Sequence, residues 1–243
     1  MNTLTQVAIC NMALSRIGAQ PITDIADPLA PSAVACNTWW DQTRDEVGRA
    51  VPWSCLMKRI RVDAVAGYPP PGATNDLYEW NAEYLLPGDY LKMVELNGND
   101  VWACDGRNGD LWEIYGQALL NPSASTGASS TVNQYGLALF ADVDPDPITN
   151  QAPMANMKYV ARVTDVRVWD ALFVGAFVVL LAARVATIIR KDDLQVAQGL
   201  EAEYKRDKLP AAAVANGNEG KPRRYDLASE SRFISSRWRS TNG

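Results

Sequence analysis

Histidine is absent from all 243 residues. Its absence removes the commonest general base, the Ser-His and Cys-His nucleophile pairs, and the commonest metal ligand. Cysteine is sparse: Cys10, Cys36, Cys55 and Cys104 form no CxxC and no short spacing, whereas metal sites and redox pairs cluster their ligands. The four read as free, buried, reduced thiols of a protein made in a cytoplasm. No glycine-rich phosphate loop is present, because the 16 glycines are scattered through turns. No basic leader opens the chain, since Met1 to Gln6 carry no positive side chain. The most apolar run, Ala171 to Ala183, stops at Asp170 and Arg184, well short of the ~20 residues that cross a bilayer, and reads as a buried helix. Positive charge is also in deficit. The formal net charge of −5 argues against a free-standing nucleic-acid binder, whose affinity comes largely from phosphate contacts.

What is present is a chain able to build a core. Hydrophobic residues make up 47%, which excludes global disorder, and eight tryptophans suit either a compact fold or a subunit that assembles. From Thr3 to Ile17, the residues Val7, Cys10, Ala13, Leu14 and Ile17 recur on one helical stripe. Gly18 then sits where a helix end favours a left-handed residue, and Pro21 blocks resumption. A second helix is expected from an N-cap at Ser32, with Ala33, Cys36, Trp40, Thr43, Val47 and Ala50 on one face, ending at Pro52. The short connection favours antiparallel packing of the two.

Between Trp53 and Val163 the helical period gives way to glycine, proline and short β-prone runs: Leu56–Val62, Glu83–Leu86, Tyr90–Leu96, Val101–Cys104 and Leu111–Tyr115. Asn97-Gly98-Asn99-Asp100 reads as a hairpin turn, and Tyr68–Gly72 and Asn121–Thr131 as loops. Helix is expected again from an N-cap at Asp165 to about Lys191, apolar nearly all round and so requiring cover on several sides. A further helix follows Asp192-Asp193, carrying Leu194, Ala197, Leu200 and Tyr204, with Lys205, Arg206 and Lys208 in its last turn. Asn216 to Gly220 reads as a linker. Beyond it Lys221, Arg223, Arg224, Arg232, Arg237 and Arg239 leave the segment from Asn216 at +3 and the preceding 215 residues at −8.

These readings give an α+β fold. An antiparallel helical bundle is expected from residues 1–52 and 164–215, with a small antiparallel β domain inserted over 53–163 and an extended basic tail over 216–243. Within the tail, Tyr225, Phe233 and Trp238 are spaced as separate apolar anchors, and Arg223, Arg224, Arg232 and Arg237 suit acidic side chains on a partner. They are the candidate docking residues. No catalytic, cofactor-binding or metal-binding residue is assigned. Asp142-Val143-Asp144-Pro145-Asp146 has the alternating carboxylates of a calcium loop, but Pro147 stands where the sharp-turn glycine belongs and Pro153 where the bidentate glutamate belongs. Lys58-Arg59-Ile60-Arg61 reads as an exposed strand face.

Two stretches are more specific. One runs from Ala13-Leu14-Ser15-Arg16-Ile17-Gly18 to Trp39-Trp40-Asp41-Gln42-Thr43-Arg44-Asp45-Glu46-Val47 and Pro52-Trp53. The other is Tyr84-Leu85-Leu86-Pro87-Gly88-Asp89-Tyr90-Leu91-Lys92-Met93-Val94, echoed by Tyr159-Val160-Ala161-Arg162-Val163-Thr164-Asp165. Their order, over residues 4–200, resembles the tail tubular protein A family, the head-to-tail adaptors of short-tailed bacteriophages. There an "ALxRLG" helix precedes an "RDxxLxxxPWxFA" helix end and an "LPxD" strand start. Gly48 departs from the family's leucine and Cys55 from its phenylalanine, and the basic tail is not part of the resemblance. The resemblance implies a virion structural protein without enzymatic activity, made in the host cytoplasm. It implies a homo-oligomeric, dodecameric ring between the portal protein and a tail nozzle of the tubular protein B type. Viral DNA would pass through its lumen without specific binding, and no membrane is involved. The alternatives are another head-completion connector or minor tail protein and, more distantly, a cell-envelope hydrolase, for which no acid/base pair is found.

Overall fold

The computed structural model describes residues 4–65, 82–97, 99–100, 112–115, 138–141, 154–190 and 194–219. The fold is α+β. Helix α1 spans Gln6–Arg16, with the Thr5 hydroxyl accepting from the Ala8 amide at 3.1 Å. The helix closes at Ile17, and Gly18 takes φ +65°, the left-handed region that glycine enters without steric cost. Asn11 fixes the following loop by both donating to and accepting from the Ile22 backbone, at 2.9 and 2.8 Å.

Helix α2 spans Pro31–Ala50 and corrects the expected start at Ser32. Pro31 occupies the first turn, where its missing N–H costs nothing and its fixed φ is already helical, so no side-chain cap is used. Ala33, Cys36, Trp40 and Val47 are buried on one face as the periodicity requires. Gly48 is buried in the same helix, and a Cβ there would stand 3.1 Å from the Leu91 side chain. Glycine at this position leaves room for the Leu91 and Leu56 side chains against the helix, at a helix-propensity cost of ~1 kcal/mol.

The helix expected from Val166 is broken. Asp165 does cap a turn, accepting from the Arg167 amide at 3.0 Å, but that turn is a single 3₁₀ unit over Val166–Val168. Trp169 is extended, and Asp170 caps the true helix α3, Ala171–Ile189, through the Leu172 amide. The break lets Trp169 fold its ring onto Trp40, Phe173 and Phe177, with its indole donating to the Val163 carbonyl at 3.1 Å. Helix α3 has the length and hydropathy of a bilayer span, and here α1, α2 and α4 (Leu194–Glu203) cover it.

After α4 the chain makes one π turn, Tyr204–Lys208, with the Leu209 amide reaching back five residues to the Tyr204 carbonyl. It then continues as α5, Leu209–Glu219. The expected linker at 216–220 is thereby corrected. Asn216 is helical because its side chain serves two ends, donating to the Ala212 carbonyl and accepting from the Ser54 amide and hydroxyl.

Two antiparallel sheets complete the fold. Strands β1 (Met57–Asp63), β7 (Met154–Ala161), β3 (Tyr90–Leu96) and β4 (Asn99–Asp100) lie in the order β1-β7-β3-β4. Strands β2 (Ala82–Leu85), β6 (Ala138–Ala141) and β5 (Trp112–Tyr115) lie in the order β2-β6-β5. Asn97, at φ +49°, turns β3 into β4, so the hairpin reads as expected except that Asn99 and Asp100 are already paired. One core joins the helices to the sheet through Leu91 and Val160. A second lies between the two sheets and is built from Tyr84, Leu86, Met93, Leu139, Met157 and Tyr159. The expected strand at 101–104 and the loops at 68–72, 121–131 and 142–146 lie outside the described residues.

Candidate functional site

Three elements converge where α2 meets the end of β7. Arg44 projects from α2 with only 7% of its side chain exposed, donating to Asp41 at 2.7 Å and to Asp45 at 2.9–3.0 Å. Arg162, just past β7, donates to both oxygens of the same Asp45 at 2.9 and 3.2 Å. Asp45 is thus shared by two guanidinium groups that stand 118 positions apart in sequence (Arg44 and Arg162) and would repel one another without it. Arg162 continues inward: its amide donates to the Asp89 carbonyl at 2.6 Å. The Asp89 carboxylate in turn accepts from Lys58 at 2.5 Å and from the Tyr159 hydroxyl at 2.9 Å. Burial, and the hydrogen bond and negative charge of Asp89, hold the Tyr159 phenol well above its usual range.

Above this network lies a cleft of about 1030 Å³, walled by Arg44, Asp45, Arg162, Glu46 and Tyr204. The π turn swings the Tyr204 ring into its wall. The ring is 3% exposed, and its hydroxyl has no hydrogen-bond partner among the described residues. Its phenol is pushed up to about 12, mainly by burial and then by the charge of Glu46, with Arg184 opposing. Glu46 also pairs with Arg184, whose guanidinium donates to the Thr43 hydroxyl at 3.0 Å and lies 5.2 Å from the centre of the Trp39 ring. Tyr90, buried in the sheet, is likewise raised to about 12 by desolvation, against the opposing effects of the Met93 amide and Arg49.

These two phenols predict an alkaline transition. In the unfolded chain they ionise near ~10, and in the folded chain at about 12. Between those values the unfolded state has released protons that the folded state retains, so stability falls as pH rises from 10 to 12. A spectrophotometric titration followed alongside circular dichroism should show these phenolates emerging near about 12 while the chain stays folded, and earlier only with loss of structure. Complete phenol ionisation near ~10 in a chain that stays folded would contradict it.

The arrangement is a set of joints. Among the described residues no group of three or more Cys, Asp or Glu side chains is placed to hold a metal ion. The candidate docking residues Tyr225, Phe233, Trp238, Arg223, Arg224, Arg232 and Arg237 lie outside the described residues. Sequence alone does not show these joints: Arg44, Asp45, Asp89 and Arg162 stand inside the two family-like stretches, but nothing in one dimension pairs them. Neither a scan against protein-family models nor a search of curated proteins finds a match for this chain.

Proposed function

We propose that the chain is a virion structural protein, a head-to-tail adaptor of the tail tubular protein A kind. It forms a ring between the portal and the tail nozzle, through which DNA leaves during ejection. One observation carries this reading. The two stretches that resemble the family meet in space: Arg44 and Asp45 of the first are tied through Arg162 to Asp89 of the second. Residues that set how a helical layer sits on a sheet suit a subunit whose task is shape. On this reading α1 to α5 act as one antiparallel bundle, the strands as its inserted domain, and the segment beyond as a docking arm. A cyclic ring uses heterologous contacts and so needs two different adhesive faces per subunit.

The experiment that tests this mixes the purified full chain with portal rings of the same phage and images the product by electron microscopy. Rings of this protein stacked on the portal are expected, and their absence at saturating concentration counts against the adaptor reading. Deleting residues after Gly220 should leave the melting temperature nearly unchanged while stopping incorporation into heads, and Phe233→Ala with Trp238→Ala should do much of the same damage. Wild-type head completion by the truncated chain would remove the docking role of Tyr225, Phe233, Trp238 and the neighbouring arginines.

A further inference from the structure

The face of the four-stranded sheet that meets α2 is only partly covered. Val160 and Leu91 lie under the helical layer, but farther along the same face Arg59 and Arg61 of edge strand β1 and Lys158 of β7 stand outside it. The register sets Arg59 directly opposite Lys158 and Arg61 opposite Asn156, with Glu95 of β3 on the far side of Lys158. Like charges directly opposite across a strand pair destabilise it. Glu95 answers only one of them, through a 3.6 Å pair with Lys158. Arg59 and Arg61 are exposed and make no ion pair or side-chain hydrogen bond among the described residues. Asp63, the next residue on that face, forms no pair with Arg61.

Protection of a sheet edge is the plain alternative, since any outward charge blunts edge pairing. It does not require three cations on one face. The opposite face of β1 carries Ile60 and Val62, and Lys58 there is already held by Asp89. Residues two apart on a strand are about 6.8 Å apart, and adjacent strands about 4.8 Å, so the three cations converge around one concavity. That concavity has a volume of about 370 Å³ and is lined by Arg59, Arg61, Glu95, Asn156 and Lys158. A planar guanidinium pair with an ammonium beside it is the donor set that fits phosphate oxygens.

We infer that this shelf is a phosphate-binding site for the backbone of DNA, sequence-independent because no base-reading element accompanies it among the described residues. The affinity for phosphate follows from the shelf alone, whereas the choice of DNA as the polyanion rests on the adaptor reading. A few cations give weak binding per subunit, consistent with an acidic chain over which DNA slides, and a ring would repeat the contact.

The test measures binding of labelled duplex DNA to the full chain by fluorescence anisotropy over a range of low salt concentrations, against Arg59→Gln/Arg61→Gln. The basic C-terminal segment contributes equally to both proteins and cancels in the comparison. Loss of two phosphate contacts should reduce the slope of log affinity against log salt by about 1.8, or about tenfold in affinity across a fourfold change in salt. Lys205→Gln, a cation on another face, should leave the slope unaltered. Melting temperature should stay level or rise slightly in the double variant, because a like-charge pair is removed. An unchanged slope in the double variant overturns the proposal. So does polyglutamate binding as tightly as DNA and being lost in the same variant, which would assign the shelf to an acidic peptide. Neither result depends on whether rings form on the portal.

Discussion

Replacing Trp40 with alanine should cost about 3–5 kcal/mol of folding stability, the range for deleting a large core aromatic. Trp40 is 6% exposed and holds the centre of an aromatic group. Its ring stacks on Trp169 with centroids 5.8 Å apart and meets the edge of Phe177 at 4.7 Å. Each such pair adds ~0.5–1.5 kcal/mol beyond the area it buries. The site cannot collapse, because α2 and α3 are spaced by further large residues: Trp53 against Phe173, with the Trp53 indole donating to the Val47 carbonyl at 2.7 Å. Urea denaturation of the variant gives the figure directly. A loss under ~1 kcal/mol, smaller than the usual effect of a core mutation, would mean that this face is not core.

The second large effect is expected at Asp45. Asp45→Ala leaves two guanidinium groups facing one another, with Asp41 as the remaining carboxylate for Arg44. Removing one partner of a buried ion pair costs ~3–5 kcal/mol. Asp45 keeps 22% of its side-chain surface, so about 2–4 kcal/mol is expected here. Because the repulsion arises between Arg44 and Arg162, a second change, Arg162→Ala, should restore part of the loss. A double-variant cycle should therefore show a coupling of at least ~1 kcal/mol. Strict additivity would show that Asp45 and Arg162 act independently, and would remove the joint between the helical layer and the sheet.

How much of this was legible depended on whether the signal was local. Helices α1 and α2 declare themselves because their buried residues fall at steps of three and four. Strand β3 reads correctly to the residue, from Tyr90 to Leu96, because aromatic and branched side chains are bounded by Pro87-Gly88 and Asn97-Gly98. Strands β6 and β7 are not legible in the sequence. Ala138–Ala141 is too short and alanine-rich to suggest a strand. Strand β7 buries Ala155, Met157 and Tyr159 in alternation, but alanine and methionine are weak strand formers and masked the period. Its central place between β1 and β3 comes from tertiary pairing alone. Trp169 escaped for a related reason. Its break in the helix is held by ring packing against Trp40 on a distant element, and the local signals for it, the β-branched Val166 and Val168 and the capping Asp170, are outweighed in a linear reading by the apolar run that follows. The candidate site divides the same way. Arg44, Asp45 and Arg162 stand out in the sequence only by their order along the chain, because a carboxylate shared across 117 residues has no one-dimensional signature.

The packing of α1 and α2 on α3 also fixes the order in which the protein can mature on the ribosome. Both N-terminal helices complete their apolar faces against a helix that begins at Ala171. Synthesis at about 5–20 residues per second means that some 6–24 s separate the emergence of α2 from that of its partner. Throughout that interval Ile9, Leu14, Trp40 and Val47 have no core to enter, and the four-stranded sheet waits as well, since β7, the partner of both β1 and β3, ends only ten residues before α3 begins. The apolar faces of the nascent chain therefore stay uncovered until α3 is made, and yield in cells should respond to translation speed between residues 51 and 170 more than to speed anywhere else.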